Sequence, residues 1–227
     1  MDFTGIIAEY DPFHNGHAAQ IAAVRAAGAQ CIAVCMSSGA VQRGGVPILP
    51  ERVRVQAALA AGADIVIALP APYACATAEQ FAAAGVYLLA ALGCDTLAFG
   101  AETPDAGALL DAARLLQCEE IDDVIRKNLA TGMTYAAARA EAADTLRPGT
   151  GTLLRTPNNI LGIEYCKAIL HRHAALTPLA LPRLGAAHGG GAGAHAGTPM
   201  ASATRKTINR TATIAFRPPL CSRLLGP

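Results

Sequence analysis

The stretch "EYDPFHNGH", from Glu9 to His17, decides how this sequence is interpreted. It lies where an apolar run near the N-terminus gives way to a helical pattern, and it carries two histidines three residues apart. In an open parallel sheet, ligands bind where strands end and helices begin, and the first such turn is the usual place for a nucleotide. The stretch therefore predicts a ligand-binding turn, provided that the surrounding chain forms an α/β sheet.

Short apolar runs and helical stretches alternate through the first hundred residues. The runs, which suit strands buried on both faces of a parallel sheet, are "TGIIAEY" (4–10), "CIAVCMS" (31–37), "DIVIALP" (64–70) and "TLAFGAE" (96–102). The predicted helices cover 15–28, 50–62 and 77–93, with Pro50 and Thr77 as start signals and a glycine closing each helix. Repeated strand–helix units of this kind predict a doubly wound α/β domain.

The rest of the chain has a different pattern. Residues 104–145 are predicted to be wholly helical, as an insertion or a lid beside the sheet, and Pro157 is expected to begin another helix. Residues 176–184, "LTPLALPRL", could add a strand, but their two prolines allow only an edge position. Residues 185–197 contain six glycines and are typical of a flexible linker.

Composition excludes several classes of protein. Of 227 residues, 52% are hydrophobic and 15% charged, which excludes a largely disordered chain. No apolar run reaches the roughly 18 residues that a membrane helix needs. The seven cysteines are odd in number and lack CxxC spacing, as in a cytoplasmic protein with reduced thiols. Residues 1–164 contain all 17 acidic residues and 10 of the 18 basic ones, so the C-terminal end is basic. Such an end is typical of a segment that meets a polyanion, although an unselected tail has the same appearance.

The two histidines suit phosphate chemistry. Asn15 is a good helix cap, so we expect a helix to begin near Gly16 with unpaired N–H groups that attract phosphate. His14 and His17 then fall on one side of the turn, where both can donate to phosphate oxygens. Two alternatives are half of a metal site and a purely structural pair beside Phe13. No third histidine, cysteine or carboxylate with ligand spacing supports the metal site.

Several motifs resemble one enzyme family. His14 to His17 is similar to the HxGH signature of nucleotidyltransferases and class I aminoacyl-tRNA synthetases. Further segments follow, in order, the landmarks of the tRNA(Met) cytidine acetate ligase family. These segments are "GIIAEYDPFHNGH", "VCMSSGAVQRG", "ADIVIALP", "AFGAE", "TPNNILGIEY" and "ASAT".

The resemblance implies a fold and a reaction. The fold would be a Rossmann-like, HUP-type doubly wound parallel sheet with a helical insertion and a truncated C-terminal region. The reaction would use ATP, with Mg²⁺, and acetate to form acetyl-adenylate. The acetyl group would then pass to the wobble cytidine of elongator tRNA(Met), which gives N4-acetylcytidine. The alternatives are another adenylyltransferase and a catalytically silent nucleotide- or RNA-binding fragment.

The resemblance also implies site residues. His14 and His17 would be catalytic and would stabilise the α-phosphate transition state and the departing pyrophosphate. The ATP-binding residues carried over by motif are Ile7, Ala8, Glu9, Tyr10, Asp11, Pro12, Phe13, His14, Asn15, Gly16, His17, Ala18, Ala19, Gln20, Gly100, Asn159 and Arg183. Asn159 could instead cap the helix that Pro157 begins, and Arg183 could be a solvated surface residue.

Two loop segments next to these positions have open roles. Ser37 to Gly39 could form a second anion-binding turn, and Gln42 and Arg43 could meet acetate, phosphate or RNA, but a simple solvated loop fits the same residues. Glu9 could orient a histidine or help to hold Mg²⁺, or it could be a helix-facing surface residue.

The expected organisation has two parts. Residues 1–184 would form the ATP-binding domain, with its helical part at about 104–172. Residues 185–227 would be a glycine-rich linker and a short basic tail, the remnant of a C-terminal domain. The sequence departs from the family pattern at Asp11, where the family has Asn, and from Arg205 onward.

Overall fold

The computed structural model describes residues 1–183 and 214–216. Six strands form one sheet: β1 (Phe3–Ala8), β2 (Cys31–Ser37), β3 (Ile65–Leu69), β4 (Thr96–Ala101), β5 (Thr177–Pro182) and β6 (Ile214–Phe216). Their order is β5-β4-β1-β2-β3-β6. The first five strands are parallel, β1 to β4 as the four apolar runs predict, and β6 pairs antiparallel with β3. The doubly wound parallel sheet is confirmed, and β6 was not predicted.

The helices are α1 (Asn15–Ala26), α2 (Glu51–Ala60), α3 (Ala71–Ala74), α4 (Ala78–Ala91), α5 (Ala106–Leu115), α6 (Glu119–Ala130), α7 (Tyr135–Leu146), α8 (Thr150–Leu153) and α9 (Pro157–Arg172). Helices α1, α2 and α4 each end two residues before a glycine with positive φ. These glycines are Gly28, Gly62 and Gly93, and they take the left-handed conformation that closes a helix at low cost.

Two details differ from the sequence-based expectation. Residues 147–152, "RPGTGT", suggest a turn in the sequence, but the single helical turn α8 begins within them, at Thr150. Gly151 within it donates its N–H to the Asp144 carboxylate over 2.7 Å, which ties this turn to α7. Helix α3 also comes between β3 and α4, beginning directly after Pro70.

The sheet separates two hydrophobic clusters. On one face, Ile21 and Val24 of α1 and Leu59 of α2 pack against Ile6. Helices α4 to α7 and α9 cover the other face, where Ile7 is part of the larger cluster. Because side chains alternate across a strand, neighbouring residues such as Ile6 and Ile7 belong to opposite faces. This alternation decides which residues share each side of the functional site.

The two edge strands of the sheet are the proline-containing β5 and the short β6. Strand β5 pairs only with β4 among the described strands, which confirms the edge position expected from Pro178 and Pro182. The predicted glycine-rich linker and most of the basic tail lie outside the described residues, so the expected boundary near residue 184 stays a prediction. No helix among residues 1–183 is long and apolar enough to cross a membrane.

Candidate active site

The turn between β1 and α1 is shaped by a cluster of aromatic rings. Tyr10 has a φ of 53°, in the region that non-glycine residues rarely adopt, and its side chain is buried. Its ring centroid lies 4.9 Å from that of Phe13 and 4.8 Å from that of His17. The buried Tyr10 ring therefore packs against the ring of His17 and connects the turn to the hydrophobic core.

The cap of α1 corrects one expectation. His14, and not Asn15, is the N-cap residue, and Asn15 is the first residue of the helix. The Gly16 N–H donates to His14 Nδ1 over 3.1 Å, and the His14 N–H donates to His17 Nδ1 over 3.3 Å. The two histidines thus replace the Ser–Glu pair of an ordinary capping box. The sequence feature that could have indicated this cap is a histidine at the start of a predicted helix with a second histidine three residues later.

This capping arrangement determines which ring atoms face a ligand. Both Nδ1 atoms accept hydrogen bonds, so a neutral ring must carry its hydrogen on Nε2. The rings of His14 and His17 stack with their centroids 3.6 Å apart. The turn therefore presents two parallel Nε2–H donors beside the N-terminus of α1.

Both imidazoles are kept neutral by their surroundings. Burial, followed by the nearby charges of His14 and Arg183, lowers the pKa of His17 to about 3. Burial, and then the charge of Arg183, lowers the pKa of His14 below its usual value. Because Arg183 and the two imidazoles disfavour one another's positive charge, a bound phosphate next to them would favour the protonated imidazoles.

A cavity of about 480 Å³ opens above this turn at the carboxyl ends of the strands. Its lining contains Ile7, Ala8, Glu9, Tyr10, Asp11, Pro12, His14, Gly16, His17, Gln20, Ala23, Gln42, Arg43, Phe81, Phe99, Gly100, Pro157, Asn158, Leu161, Tyr165, Leu181, Pro182 and Arg183. The volume lies within the range of small-molecule sites.

Most of the predicted ATP-binding residues meet at this cavity. Gly100 and Arg183, far from the turn in sequence, come together there because β4 and β5 are neighbours. A Cβ atom at Gly100 would lie 3.4 Å from Cγ of Arg183, so the glycine leaves the strand end open beneath this side chain. Five predicted residues are not part of the lining: Phe13, Asn15, Ala18, Ala19 and Asn159.

Asn159 has a structural partner outside the cavity. It is 1% exposed, its Oδ1 accepts from the Thr103 N–H over 2.9 Å, and its Nδ2 donates to Thr103 Oγ1. Its N–H and that of Asn158 both donate to the carboxylate of Glu102. Asn159 therefore fastens the start of α9 to the segment after β4, while the neighbouring Asn158 lines the cavity.

Arg54 organises the floor of the site, a role that the sequence did not reveal. Its side chain is completely buried on α2. The guanidinium donates to four main-chain carbonyls, those of Glu9, Ser37, Ser38 and Leu49. It therefore ties the ends of β1 and β2 to the loop that follows β2. An arginine among apolar residues of a helix could have suggested such a buried role.

The loop after β2 is also held by the two carboxylates near the turn. Asp11 Oδ1 accepts from the Ile48 N–H over 2.8 Å, and Glu9 accepts from the Gln42 N–H. Gln42 and Arg43 consequently line the cavity, as one of their open roles requires. Ser38 donates its hydroxyl to the Leu69 carbonyl over 3.0 Å, so its side chain serves the packing of the loop.

Among the lining residues that were not predicted are Phe81, Phe99, Leu161 and Tyr165. They belong to the large apolar cluster and look in sequence like ordinary core residues. Within the described part of the chain, no group of three or more His, Cys, Asp or Glu side chains could hold a metal ion.

Comparison with known proteins agrees with this geometry. The family model described as HIGH Nucleotidyl Transferase matches residues 1–222. The chain belongs to the HIGH nucleotidyl transferase family. This membership accounts for the position of the HxGH turn, directly after the first strand of a parallel sheet.

Relatives within the HIGH nucleotidyl transferase family share most of the chain. It is 42% identical to the tRNA(Met) cytidine acetate ligase of Syntrophotalea carbinolica, over 94% of this chain and 52% of that protein. It is 38% identical to the protein of the same name from a Geobacillus species, over 92% of this chain and 52% of that protein. The chain thus spans about half the length of the curated relatives it matches.

A solved structure has the same fold. The crystal structure of Thermotoga maritima TmcAL bound with alpha-thio ATP is 29% identical and superimposes with a TM-score of 0.76. The match covers 82% of this chain and 47% of that protein.

Proposed function

We propose that the chain carries the ATP-activating part of an acetate ligase that acts on elongator tRNA(Met). In the first step, a carboxylate oxygen of acetate attacks the α-phosphorus of ATP. The bond from that phosphorus to the bridging oxygen breaks, and acetyl-adenylate and pyrophosphate form. In the second step, the exocyclic amine of the wobble cytidine attacks the acetyl carbon, AMP leaves with the bonding electron pair, and the nitrogen releases a proton to water. The products are N4-acetylcytidine in the tRNA and AMP.

The observation that carries this proposal is the pair of Nε2–H donors at the start of α1. Negative charge grows on the α-phosphate and on the departing pyrophosphate during the attack. His14 and His17 are fixed by their Nδ1 hydrogen bonds before any ligand binds, so no reorganisation is needed during the reaction. Arg183 adds a positive charge on the same side of the cavity, close enough to lower the pKa of both histidines.

The adenosine has room along the α1 face of the cavity. Gly100 leaves the end of β4 open, and Gln20 and Ala23 of α1 line the same side as Leu181. The relatives named tRNA(Met) cytidine acetate ligase and the ATP-analogue complex of T. maritima TmcAL support a nucleotide there.

The residues present fit Mg²⁺ that arrives on ATP. Mg²⁺ in such sites keeps most ligands as water and phosphate oxygens and uses one or two carboxylates of the protein. Glu9 and Asp11 both line the cavity beside the turn and would supply these carboxylates. The ion would neutralise charge on the phosphates, while the histidines remain the donors held by the chain.

Arg43 lies at the rim of the cavity on the loop after β2 and would meet the tRNA backbone. The five basic residues beyond Arg183 all lie outside the described part of the chain. A reaction between ATP, acetate and tRNA places the protein in the cytoplasm.

Exchange of labelled pyrophosphate into ATP tests the first step. We expect exchange that depends on acetate, and we expect His17→Ala to reduce its rate by about 100- to 1,000-fold, the usual effect of removing one preorganised donor. His171→Ala is the matched control, because His171 is an exposed histidine in the last turn of α9. Acetyl transfer is then measured with labelled acetate and tRNA(Met).

The outcomes separate the alternatives. Exchange without acetate would indicate a different adenylyltransferase. Nucleotide binding without any exchange would indicate a catalytically silent fragment. Full activity of His17→Ala would refute the proposed role of the turn.

A further inference from the structure

The cavity crosses the edge of the sheet and therefore has two chemically different halves. The nucleotide half lies on the α1 face and contains the two histidines, Gln20, Leu181 and Arg183. The apolar half lies on the opposite face and is lined by Ile7, Phe81, Phe99, Leu161 and Tyr165, which all pack in the larger core cluster. The ends of β1 and β4 form the boundary between the halves. The proposed reaction needs a second substrate next to the α-phosphate, and the apolar half adjoins the turn through Ile7 near the end of β1.

The walls of the apolar half are closely packed. Phe81 and Tyr165 are each 2% exposed, and Phe99 is 4% exposed. The ring centroids of Phe99 and Tyr165 lie 5.5 Å apart. None of the five side chains carries a charge, and burial raises the pKa of the Tyr165 hydroxyl, so it stays protonated. Such a compartment suits a small alkyl group and not a phosphate or a ribose.

Two helix glycines hold the walls back from the cavity. A Cβ atom on Gly85 of α4 would lie 2.6 Å from Cδ1 of Ile7, and one on Gly162 of α9 would lie 2.7 Å from Cε2 of Phe99. Glycine inside a helix costs about 1 kcal/mol relative to alanine. The missing Cβ at Gly85 lets Ile7 pack directly against the backbone of α4, and the missing Cβ at Gly162 lets Phe99 pack against the backbone of α9. These contacts, on the side of each wall residue that faces away from the cavity, determine the size of the compartment.

We propose that the apolar half holds the alkyl group of the carboxylic acid that is activated, and that its walls restrict the enzyme to very short acids. This inference rests on the proposed function and names a part of the site that selects the acid. A buried methyl group adds only about fourfold to affinity. Selectivity for acetate must therefore come mainly from walls that exclude longer chains, which can reach tenfold or more for each methylene. The two glycines fix those walls.

Stable analogues of the adenylate test the proposal without catalysis. The probes are 5′-O-sulfamoyl adenosine and its N-acetyl, N-propionyl and N-butyryl derivatives, with affinities measured by titration calorimetry on the full chain. For the wild type, we expect the butyryl analogue to bind at least tenfold more weakly than the acetyl analogue. For Leu161→Ala, which opens a half-buried wall, we expect this difference to shrink about tenfold or to reverse.

Two further variants make the result specific. Leu161→Phe should weaken the acetyl analogue and leave unsubstituted sulfamoyl adenosine unchanged. Leu181→Ala, on the nucleotide half, should weaken all four ligands by the same factor. Leu161→Val is a milder substitute if circular dichroism shows that Leu161→Ala does not fold.

Three other outcomes would overturn the inference. Equal affinity of the wild type for all acyl analogues would mean that the walls exclude nothing. A uniform loss for Leu161→Ala would mean that the apolar half holds the nucleobase, and binding of none of the probes would mean that the cavity is not an acyl-adenylate site. Acyl selectivity without acetate-dependent pyrophosphate exchange would refute the proposed function and not this inference.

Discussion

The two halves of the cavity are built in opposite ways. The nucleotide half depends mainly on one short stretch. In it, the His14 side chain accepts from the N–H of Gly16 at the start of α1, and the His17 side chain accepts from the N–H of His14. The apolar half is assembled from β1, β4, α4 and α9, so its members are separated by up to 158 positions, from Ile7 to Tyr165. Groups for phosphate chemistry are thus encoded locally, whereas the shape of the second compartment is a product of tertiary packing.

Each half is also fastened to the sheet by one charged side chain. Arg54 holds the floor of the nucleotide half through four carbonyls. Glu102 holds α9, which supplies two walls of the apolar half, through the N–H groups of Asn158 and Asn159. Arg54 is completely buried, whereas Glu102 is exposed. The two fastenings should therefore differ in strength.

Removing Arg54 should have the largest effect. Arg54→Met leaves four carbonyls without their donor in a dry environment, so we expect the free energy of unfolding to fall by about 3 kcal/mol or more. The melting temperature should fall by roughly 6–12 °C, which differential scanning calorimetry measures. Arg54→Lys should give an intermediate loss, because an ammonium group retains charge but cannot reach all four acceptors.

Arg52→Met is the matched control for this experiment. Arg52 is exposed on the same helix, and we expect a change of about 0.5 kcal/mol or less. If Arg54→Met and Arg52→Met had equal effects, water would be replacing the guanidinium, and the floor of the site would not depend on it.

The difference between the halves explains what the sequence could predict. The four apolar runs predicted the strands β1 to β4, since strands buried on both faces must be apolar throughout. The HxGH turn could be found because its residues are contiguous and because Gly16 and two histidines in that spacing are unusual after a strand. Its cap was assigned to Asn15 because asparagine is the commoner cap, and the reciprocal use of two Nδ1 atoms is not visible in a propensity.

The apolar half could not be found from the sequence for a physical reason. Phe81, Phe99 and Tyr165 occupy positions that any buried helix or strand fills with apolar residues. Only the crossing of α4 and α9 over the strand ends turns them into cavity walls. Arg54 was missed for the same reason, because its four acceptors are main-chain carbonyls from three segments. Strand β6 depends on a pairing over about 150 residues, and no local pattern marks it.

The charge state of His17 should have the next largest effect. In the unfolded chain the imidazole has its usual pKa near 6.5, and in the folded chain the pKa is about 3. The unfolded state therefore binds the proton first, and the free energy of unfolding should fall as the pH decreases from about 6.5 toward 3. Between pH 7 and pH 5 we expect His17 to contribute about 1–2 kcal/mol of this loss. Urea denaturation of the wild type and His17→Asn at both pH values measures it.

A polyanion should reverse this behaviour. Phosphate charge next to the histidines favours their protonated forms, so pyrophosphate should raise the pKa of His17 and bind more tightly as the pH falls. Nuclear magnetic resonance of the imidazole carbons, with and without pyrophosphate, reports both states. If the His17 resonances of the free chain titrated near pH 6.5, the neutral donor pair would not exist.

Removing Glu102 should have the smallest effect and should act on the other half. Burial would raise the pKa of this carboxyl, but the hydrogen bonds from Asn158 and Asn159 outweigh it and leave the pKa below the usual 4.5. Its stabilising contribution is therefore present above pH 4.5 and is lost as the pH falls through the lowered pKa. Because Glu102 caps two N–H groups of α9, Glu102→Ala should cost about 1 kcal/mol at pH 7 and progressively less as the pH falls below 4.5, measured by urea denaturation.

The same variant separates the two halves of the cavity functionally. A loosened start of α9 relaxes the walls formed by Leu161 and Tyr165, so acyl selectivity among the sulfamoyl analogues should decrease about two- to threefold. Affinity for unsubstituted sulfamoyl adenosine should not change, because α1, β4 and β5 supply that half. Asp105→Ala, which removes the N-cap of α5, provides a control with similar loss of stability and no lining residue. If Glu102→Ala lost affinity for unsubstituted sulfamoyl adenosine and Asp105→Ala did not, the two halves would not be independent, and α9 would also position the nucleotide.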